Sequence, residues 1–167
     1  MSPVEGSGAA VRLRPMRWWD VESVLPLEQH LFGPSAWSAE TFWSELAHPQ
    51  TRWYVVAVPA DDPDRPIGYA GLLAPDTEAD VQTIAVAAQA QGRGVGGILI
   101  DALIAEAARR SAGSLLLEVR ANNEPAIALY TKRGFERIAI RRRYYQPEDV
   151  DAWVMRLRPV GDRQAAP

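Results

Sequence analysis

Residues 83–100 read TIAVAAQAQGRGVGGILI, and this stretch decides the fold. An apolar, strand-like run ends at Val86, a glycine-rich segment follows at 91–97, and apolar residues with helical spacing come next. Glycines let a backbone bend and approach a ligand, and the N–H groups of a first helical turn attract anions. The order of strand, loop and helix predicts either a diphosphate-binding loop or a turn that glycine permits for tight packing. From the sequence alone, both interpretations stay open.

Two familiar phosphate-binding loops do not fit this segment. No Gly-Lys-Ser/Thr follows it, so it is not a P-loop. No acidic residue ends the next strand where a dinucleotide fingerprint requires one. The loop therefore indicates a diphosphate without naming its carrier.

The rest of the chain predicts a mixed α/β sheet with helices on its faces. Strands are predicted at 11–15, 53–58, 67–73, 81–86, 114–119, 135–143 and 151–157, and helices at 18–32, 41–47, 94–112 and 125–133. Ser38 and Asn123 are expected to cap helices, and Pro26 is expected to interrupt the first one. In the third helix, Glu106 is expected to face water, opposite an apolar stripe. We expect flexible tails at 1–9 and 159–167 around a single domain at 10–158.

Composition excludes several kinds of chemistry. The 167 residues include no Cys and two His, which rules out a disulfide framework, a thiolate metal site and a cysteine nucleophile. The two histidines lack metal-binding spacing, so no metal is expected. A net charge of −3 gives no general attraction to nucleic acid or membranes. With neither a signal peptide nor an apolar run long enough to span a bilayer, the sequence predicts a cytoplasmic monomer.

Two residues in the second half could carry catalysis. Glu118 ends a run too apolar for a surface strand, and desolvation in a cleft would favour its use as a base near neutral pH. The alternative is a structural ion pair with Arg120 or with an arginine at 141–143. Tyr130, on the short helix, could donate a proton to a leaving group, or it could simply pack in the core.

Three other aromatic residues could line a binding groove. Trp37 follows a Pro-Ser-Ala turn and is suspected of lining a pocket, whereas the other tryptophans are expected mostly in the core. Tyr144 and Tyr145 follow three arginines. They either border a groove or end a strand with a solvated basic face.

Four separated motifs resemble one known superfamily. They are Ile84-Ala85-Val86, Gln91-x-x-Gly94-x-Gly96, Leu117-Glu118-Val119-Arg120, and residues 123–130 followed by Gly134-Phe135. In this order they resemble the GCN5-related N-acetyltransferase (GNAT) superfamily from about Val11 to Leu157. Within it, the chain is similar to the bacterial ribosomal-protein-alanine N-acetyltransferases (RimI type). That similarity rests on Leu27-Glu28-Gln29, Trp37-Ser38, Glu118-Val119-Arg120-Ala121-x-Asn123, Ala126-Ile127-Ala128-Leu129-Tyr130 and Arg141-Arg142-x-Tyr144-Tyr145.

The resemblance implies a fold, a cofactor and roles for particular residues. It implies a mostly antiparallel mixed sheet of six to seven strands, with acetyl-CoA as co-substrate. Glu118 would be the general base and Tyr130 the general acid. Trp37, Tyr144 and Tyr145 would border the peptide groove. The implied cofactor contacts are Ile84, Ala85 and Val86 for the pantetheine arm, Gly92, Arg93, Gly94, Val95, Gly96 and Gly97 for the pyrophosphate, and Asn123 near the pantetheine.

The implied acceptor is the α-amine of a protein N-terminus, such as the N-terminal alanine of a ribosomal protein. Gly33-Pro34-Ser35-Ala36-Trp37 is longer than the family's usual Phe-Pro-Trp, which bears on acceptor preference. An acetyltransferase for lysine or a small amine is one alternative. A non-catalytic module that binds CoA or peptide is another.

Overall fold

The computed structural model describes residues 10–161, so the tail predicted at 1–9 and residues 162–167 of the tail predicted at 159–167 lie outside the described residues. Seven strands and four α-helices cover the described part of the chain. The strands are β1 Val11–Pro15, β2 Arg52–Pro59, β3 Gly68–Leu73, β4 Glu78–Val86, β5 Ser114–Arg120, β6 Glu136–Tyr145 and β7 Val150–Leu157. The helices are α1 Val21–Phe32, α2 Ala39–Leu46, α3 Val95–Arg109 and α4 Glu124–Lys132.

The strands form one mixed sheet in the order β1-β2-β3-β4-β5-β7-β6. β1 pairs antiparallel with β2, and β7 pairs antiparallel with both β5 and β6. β4 and β5 run parallel, with Glu78 to Asp80 opposite Ser114 to Leu116. The prediction of a mixed α/β sheet of six to seven strands is confirmed.

The described chain divides into two compact units, residues 10–71 with 83–101 and residues 72–82 with 102–161. We call them the first and the second unit. The first unit has a core of apolar side chains from β1, α1, α2, β2, β3 and β4. Its buried members are Met16, Val21, Val24, Phe42, Tyr54, Val56, Val58, Tyr69 and Ala85.

Local signals explain how the helices of the first unit begin. The Ser38 side chain accepts a hydrogen bond from the backbone N–H of Thr41, which caps α2 as predicted. Pro26 lies inside α1, and the expected interruption is wrong, because the helix continues from Val21 to Phe32. A proline at this place removes one backbone donor without ending the helix.

In the second unit, β7 lies between β5 and β6. Asn123 caps α4 by accepting a hydrogen bond from the backbone N–H of Ala126, as predicted, and Pro125 lies in the first turn. The chain stays packed beyond β7, because Val160 is fully buried and its N–H donates to the Gly113 carbonyl. The packed chain thus reaches residue 160, two residues into the segment that the sequence places in the C-terminal tail.

Two expectations about side-chain exposure are wrong. Glu106 does not face water: it is buried on α3 and accepts hydrogen bonds from Arg109 and Arg110. The two guanidinium groups compensate the cost of desolvating the Glu106 carboxylate. The helical spacing of residues alone does not reveal this pairing. Among the tryptophans, Trp18, Trp19 and Trp43 are exposed, Trp18 by 67%. The Trp43 indole N–H donates to the Trp18 carbonyl at 3.2 Å.

The packing of β2 against β3 gives a stability prediction. Gly71 lies against the buried ring of Tyr54, and a Cβ at position 71 would overlap that ring. Gly71→Ala should lower the free energy of unfolding by about 1–3 kcal/mol, the usual cost of overpacking a core. Urea denaturation measures the change. Gly113→Ala is the control, since its added Cβ would meet its nearest neighbour at 3.8 Å. Equal stability of the two variants would contradict the prediction.

Candidate functional site

The glycine-rich loop of the first unit leaves its backbone open. Gly92 and Gly94 adopt φ angles of +78° and +81°, a region that side chains disfavour, and nothing lies within 4 Å of a Cβ built at either one. Helix α3 starts at Val95, and the Ile98 N–H is bonded to the Gly94 carbonyl. The N–H groups before Ile98 precede the first intrahelical bond, so they are oriented to bind an anion.

No acidic residue occupies the first turn of α3, and Arg93 is exposed in the loop. Negative charge there would repel a phosphate, and a nearby guanidinium would attract one. The loop therefore fits a diphosphate group, the role that the family resemblance implied for Gly92 to Gly97 with the pyrophosphate of CoA.

At the end of β4, the backbone N–H and C=O groups point alternately toward β3 and toward the opposite edge of the strand. The Ala87 N–H donates to the Ile67 carbonyl, and the Ala85 carbonyl faces Gly68, so both residues turn their polar groups toward β3. Backbone groups alternate along a strand, so those of Ile84 and Val86 point to the opposite edge. The Val86 carbonyl accepts a bond from the Gln91 side chain at 3.1 Å, which ties the strand to the loop. Backbone groups that point away from β3 in this way could form hydrogen bonds with an amide of a pantetheine arm.

The predicted base, Glu118, lies on β5 in the second unit. Its side chain is 35% exposed, and its Oε1 accepts a hydrogen bond from Arg141 Nη1 at 2.7 Å. Arg120 pairs instead with Glu148, at 3.6 Å. Of the two interpretations left open by the sequence, an ion pair is present, and its partner is Arg141. The expected desolvation of Glu118 in a cleft is wrong, because its side chain is exposed; the carboxylate remains accessible to a substrate amine.

The register of β5 and β6 against β7 explains why these charged side chains lie close together. Ala152 of β7 lies opposite Arg120 on one side and Arg141 on the other, and Val154 lies opposite Glu118. Side chains two residues apart on a strand share a face. Glu118, Arg120 and Arg141 therefore project from the same face of the sheet.

Tyr130 is buried on α4, with its ring 5.8 Å from that of Phe135. Burial, with a smaller contribution from Tyr145, raises the pKa of Tyr130 to about 12. The hydroxyl group is therefore protonated at neutral pH, as a general acid must be. Asn123, predicted to contact the cofactor, is exposed at the start of the same helix, and its side chain serves as the cap.

Tyr144 and Tyr145 end β6 with rings 5.1 Å apart in an edge-to-face arrangement. Arg141 stacks on Tyr144 at 4.0 Å and Arg120 stacks on Tyr145 at 4.4 Å. Burial raises the pKa of Tyr145, and the negative charge of Glu118 adds to this rise. The predicted tyrosine pair thus lies in one electrostatic cluster with Glu118, which we call the Glu118 cluster.

Trp37, predicted to border the groove, is half-buried in the first unit. Its ring lies 5.3 Å from that of Phe42, and its backbone N–H donates to Glu28 Oε2 at 2.9 Å. The other Glu28 oxygen accepts a bond from the Tyr69 hydroxyl at 2.6 Å. Burial and this bond raise the pKa of Tyr69. The buried carboxylate of Glu28 thus ties the segment before α2 to β3.

Sequence reasoning missed Asp80, which belongs to the second unit. It lies on β4 opposite Leu116, so it shares a sheet face with Glu118, two residues further along β5. Burial, together with Glu78 and Glu118, raises the pKa of Asp80. The alternation of Glu78 and Asp80 along a strand is the signal that could have revealed it.

Within residues 10–161, no group of three or more His, Cys, Asp or Glu side chains could hold a metal ion. None of the described helices has the length and apolar character needed to cross a bilayer.

Three known proteins illustrate what the chain is similar to. The N-alpha-acetyltransferase RimI of Mycobacterium tuberculosis is 39% identical over 148 residues, covering 86% of this chain and 89% of that protein. The crystal structure of the ribosomal-protein-S18-alanine N-acetyltransferase from Escherichia coli superposes with a TM-score of 0.79 at 30% identity, covering 90% of this chain and 94% of that one. An uncharacterized Mycobacterium leprae protein, ML0378, is 42% identical over 142 residues. The match covers 82% of this chain but 38% of that longer protein.

These similarities confirm the predicted GNAT fold and the predicted class of enzyme, an N-acetyltransferase. Residues 17–135 match the sequence model of the acetyltransferase (GNAT) family. The chain therefore belongs to the GNAT acetyltransferase family.

Proposed function

We propose that this enzyme transfers the acetyl group of acetyl-CoA to the α-amine of a protein N-terminus, with an N-terminal alanine of a ribosomal protein as the acceptor. The observation that carries the proposal is the Glu118 cluster together with Tyr130 of the same unit. The partly exposed carboxylate of Glu118 and the hydroxyl of Tyr130, which stays protonated at neutral pH, each interact electrostatically with Tyr145. Similarity to the Escherichia coli enzyme, which is named for N-acetylation of an alanine of ribosomal protein S18, supports the acceptor.

The cofactor would be held by backbone groups of the first unit. The loop from Gly92 to Gly97, with Arg93, would bind the pyrophosphate, and Ile84 to Val86 would pair with the pantetheine arm. Asn123 would contact the cofactor near that arm. Acetyl-CoA, when bound, supplies an acetyl group activated as a thioester, and the protein supplies orientation and charge.

Two side chains would move the protons. Glu118 would collect the proton that the amine loses as the nitrogen–carbon bond forms. Tyr130 Oη would donate a proton to the sulfur as the carbon–sulfur bond breaks. Tyr144 and Tyr145 would border the acceptor peptide.

An α-amine suits a base of this kind. With a pKa of about 7.7–8.0, roughly 10–20% of such amines are neutral at pH 7, whereas lysine, with a pKa of about 10.4, is well under 1% neutral. A protein N-terminus therefore demands less of Glu118 than a lysine side chain does.

A peptide pair tests the choice of acceptor. We expect acetyl transfer to a peptide that begins with alanine, and transfer slower by about two orders of magnitude to its N-blocked twin that carries one lysine, following the difference in neutral amine. Thiol release and mass spectrometry report the two reactions. Turnover of the blocked peptide alone would point to a lysine acetyltransferase. Binding of acetyl-CoA without any transfer would point to a binding module.

A further inference from the structure

The partner of Glu118 is itself a cation of the kind that the acceptor would bring. Arg141 Nη1 lies 2.7 Å from Glu118 Oε1, within the distance of a charge-assisted hydrogen bond. Its donor faces one oxygen of the carboxylate that an α-ammonium group would approach. The bond to Glu118 also raises the pKa of Arg141, which keeps the guanidinium charged.

A base must lie within about 2.6–3.2 Å of the group whose proton it takes. Glu118 Oε1 is engaged by Arg141, so an amine that approaches this oxygen has to compete with the guanidinium. Both groups are cationic donors, and a carboxylate oxygen exchanges one for the other without a change in total charge.

The Arg141 side chain can move away from Glu118 and still keep a second interaction. Its side chain is 50% exposed, and its guanidinium carbon lies 4.0 Å from the centre of the Tyr144 ring. A cation stacked on a tyrosine ring keeps a favourable interaction after its carboxylate partner is lost. β6 is an edge strand of the sheet, and no further strand among residues 10–161 pairs with its outer edge.

We propose that Arg141 is a specificity-determining residue that occupies the ammonium subsite at Glu118 until a cationic acceptor amine displaces it. This inference rests on the proposed function and deepens it. At pH 7 most α-amines arrive protonated, and such an ammonium group gives its proton to Glu118 after the guanidinium has left. Displacement frees Glu118 Oε1 and leaves the guanidinium on Tyr144.

Three variants test the competition. Arg141→Gln should lower the KM for the alanine peptide by about twofold to fivefold, without lowering kcat, because an exposed ion pair of modest strength no longer competes. Arg141→Lys restores a competing cation, so its KM should return toward the wild-type value. Arg142→Gln is the matched control, since it removes an exposed arginine from the next position of the same strand. Its KM should not change.

Two results would overturn the inference. One is an unchanged or higher KM in Arg141→Gln. The other is a loss of kcat in that variant, which would mean that Arg141 only holds Glu118 in place. Glu118→Gln separates this failure from a failure of the proposed function, since wild-type turnover by Glu118→Gln contradicts the function itself. An enzyme that needs Glu118 but shows no change in KM with Arg141→Gln contradicts the role of Arg141 alone.

Discussion

Glu118→Gln is expected to lower kcat at pH 7 by about two to four orders of magnitude, the usual contribution of a general base. The amide keeps the size of the side chain and can still accept a hydrogen bond from Arg141, but it cannot take up the proton of the attacking amine. Initial rates of thiol release with the alanine peptide measure the loss.

The loss should shrink as the pH rises. Above the ordinary pKa of an α-amine, about 7.7–8.0, most of the acceptor is already neutral and needs less help from a base. The ratio of wild-type to variant kcat at pH 9 should therefore be smaller than at pH 7. A ratio that does not change with pH would indicate that Glu118 acts by orienting the amine rather than by collecting its proton.

Glu136→Gln is the matched control for this experiment. Glu136 is an exposed carboxylate at the start of β6 in the same unit, so the substitution makes the same change in charge away from Glu118. Its kcat should equal that of the wild type. Glu118 is partly exposed, so its substitution should leave the thermal unfolding temperature nearly unchanged. Wild-type kcat in Glu118→Gln would contradict the proposed mechanism.

Periodicity and local signals were sufficient to predict the elements of the fold. The apolar run at 114–119 forms β5 where a strand was predicted, but its residues alternate in burial and Glu118 is exposed, so it is not the fully buried strand that the run indicated. The stripe of α3 and the Ser38 and Asn123 caps depend on residues close together in the sequence, and each of these predictions is confirmed. Their hydrogen bonds and faces follow from local geometry, which the sequence specifies directly. Pro26 is the exception, since packing around α1 overrides a local preference.

Partners distant in sequence could not be chosen in the same way. Glu118 had several arginines as candidates, and the selection of Arg141 depends on the register of β5 and β6 against β7. A shift of one residue would move Arg141 to the other face. The register of β6 also shifts between Arg137 and Ala139, an irregularity that no spacing rule in the sequence predicts.

Buried charges show the same limit. Glu28 and Glu106 both occupy helix positions where sequence reasoning gives no reason to expect burial, yet each is buried with hydrogen-bond donors around it. The donors of Glu28 come from Trp37 and from Tyr69, 41 residues away. Burial of a carboxylate depends on whether such donors converge, which is a property of the folded chain.

The second large effect is expected for Tyr130→Phe, which should lower kcat by about two orders of magnitude and leave the KM for the alanine peptide nearly unchanged. Phenylalanine keeps the ring that packs against Phe135 but has no proton to donate. The pKa of Tyr130, raised to about 12, keeps its hydroxyl protonated across the working range of pH. An ordinary thiol has a pKa of about 8.5, below that of Tyr130, so complete proton transfer to the departing sulfur is uphill, and the hydroxyl group helps most when the leaving thiolate is strongly basic.

That dependence on the leaving group provides a sharper test than the loss of kcat alone. A more acidic thiol leaves its acetyl thioester without much help from an acid. The kcat values of wild type and Tyr130→Phe should therefore differ less with such an acetyl donor than with acetyl-CoA. Without a general acid, the rate depends more strongly on the acidity of the leaving thiol. The rate of Tyr130→Phe should therefore be more sensitive to that acidity than the rate of the wild type. Equal sensitivity in the two proteins would show that Tyr130 acts through packing, and a wild-type kcat in the variant would remove it from the mechanism.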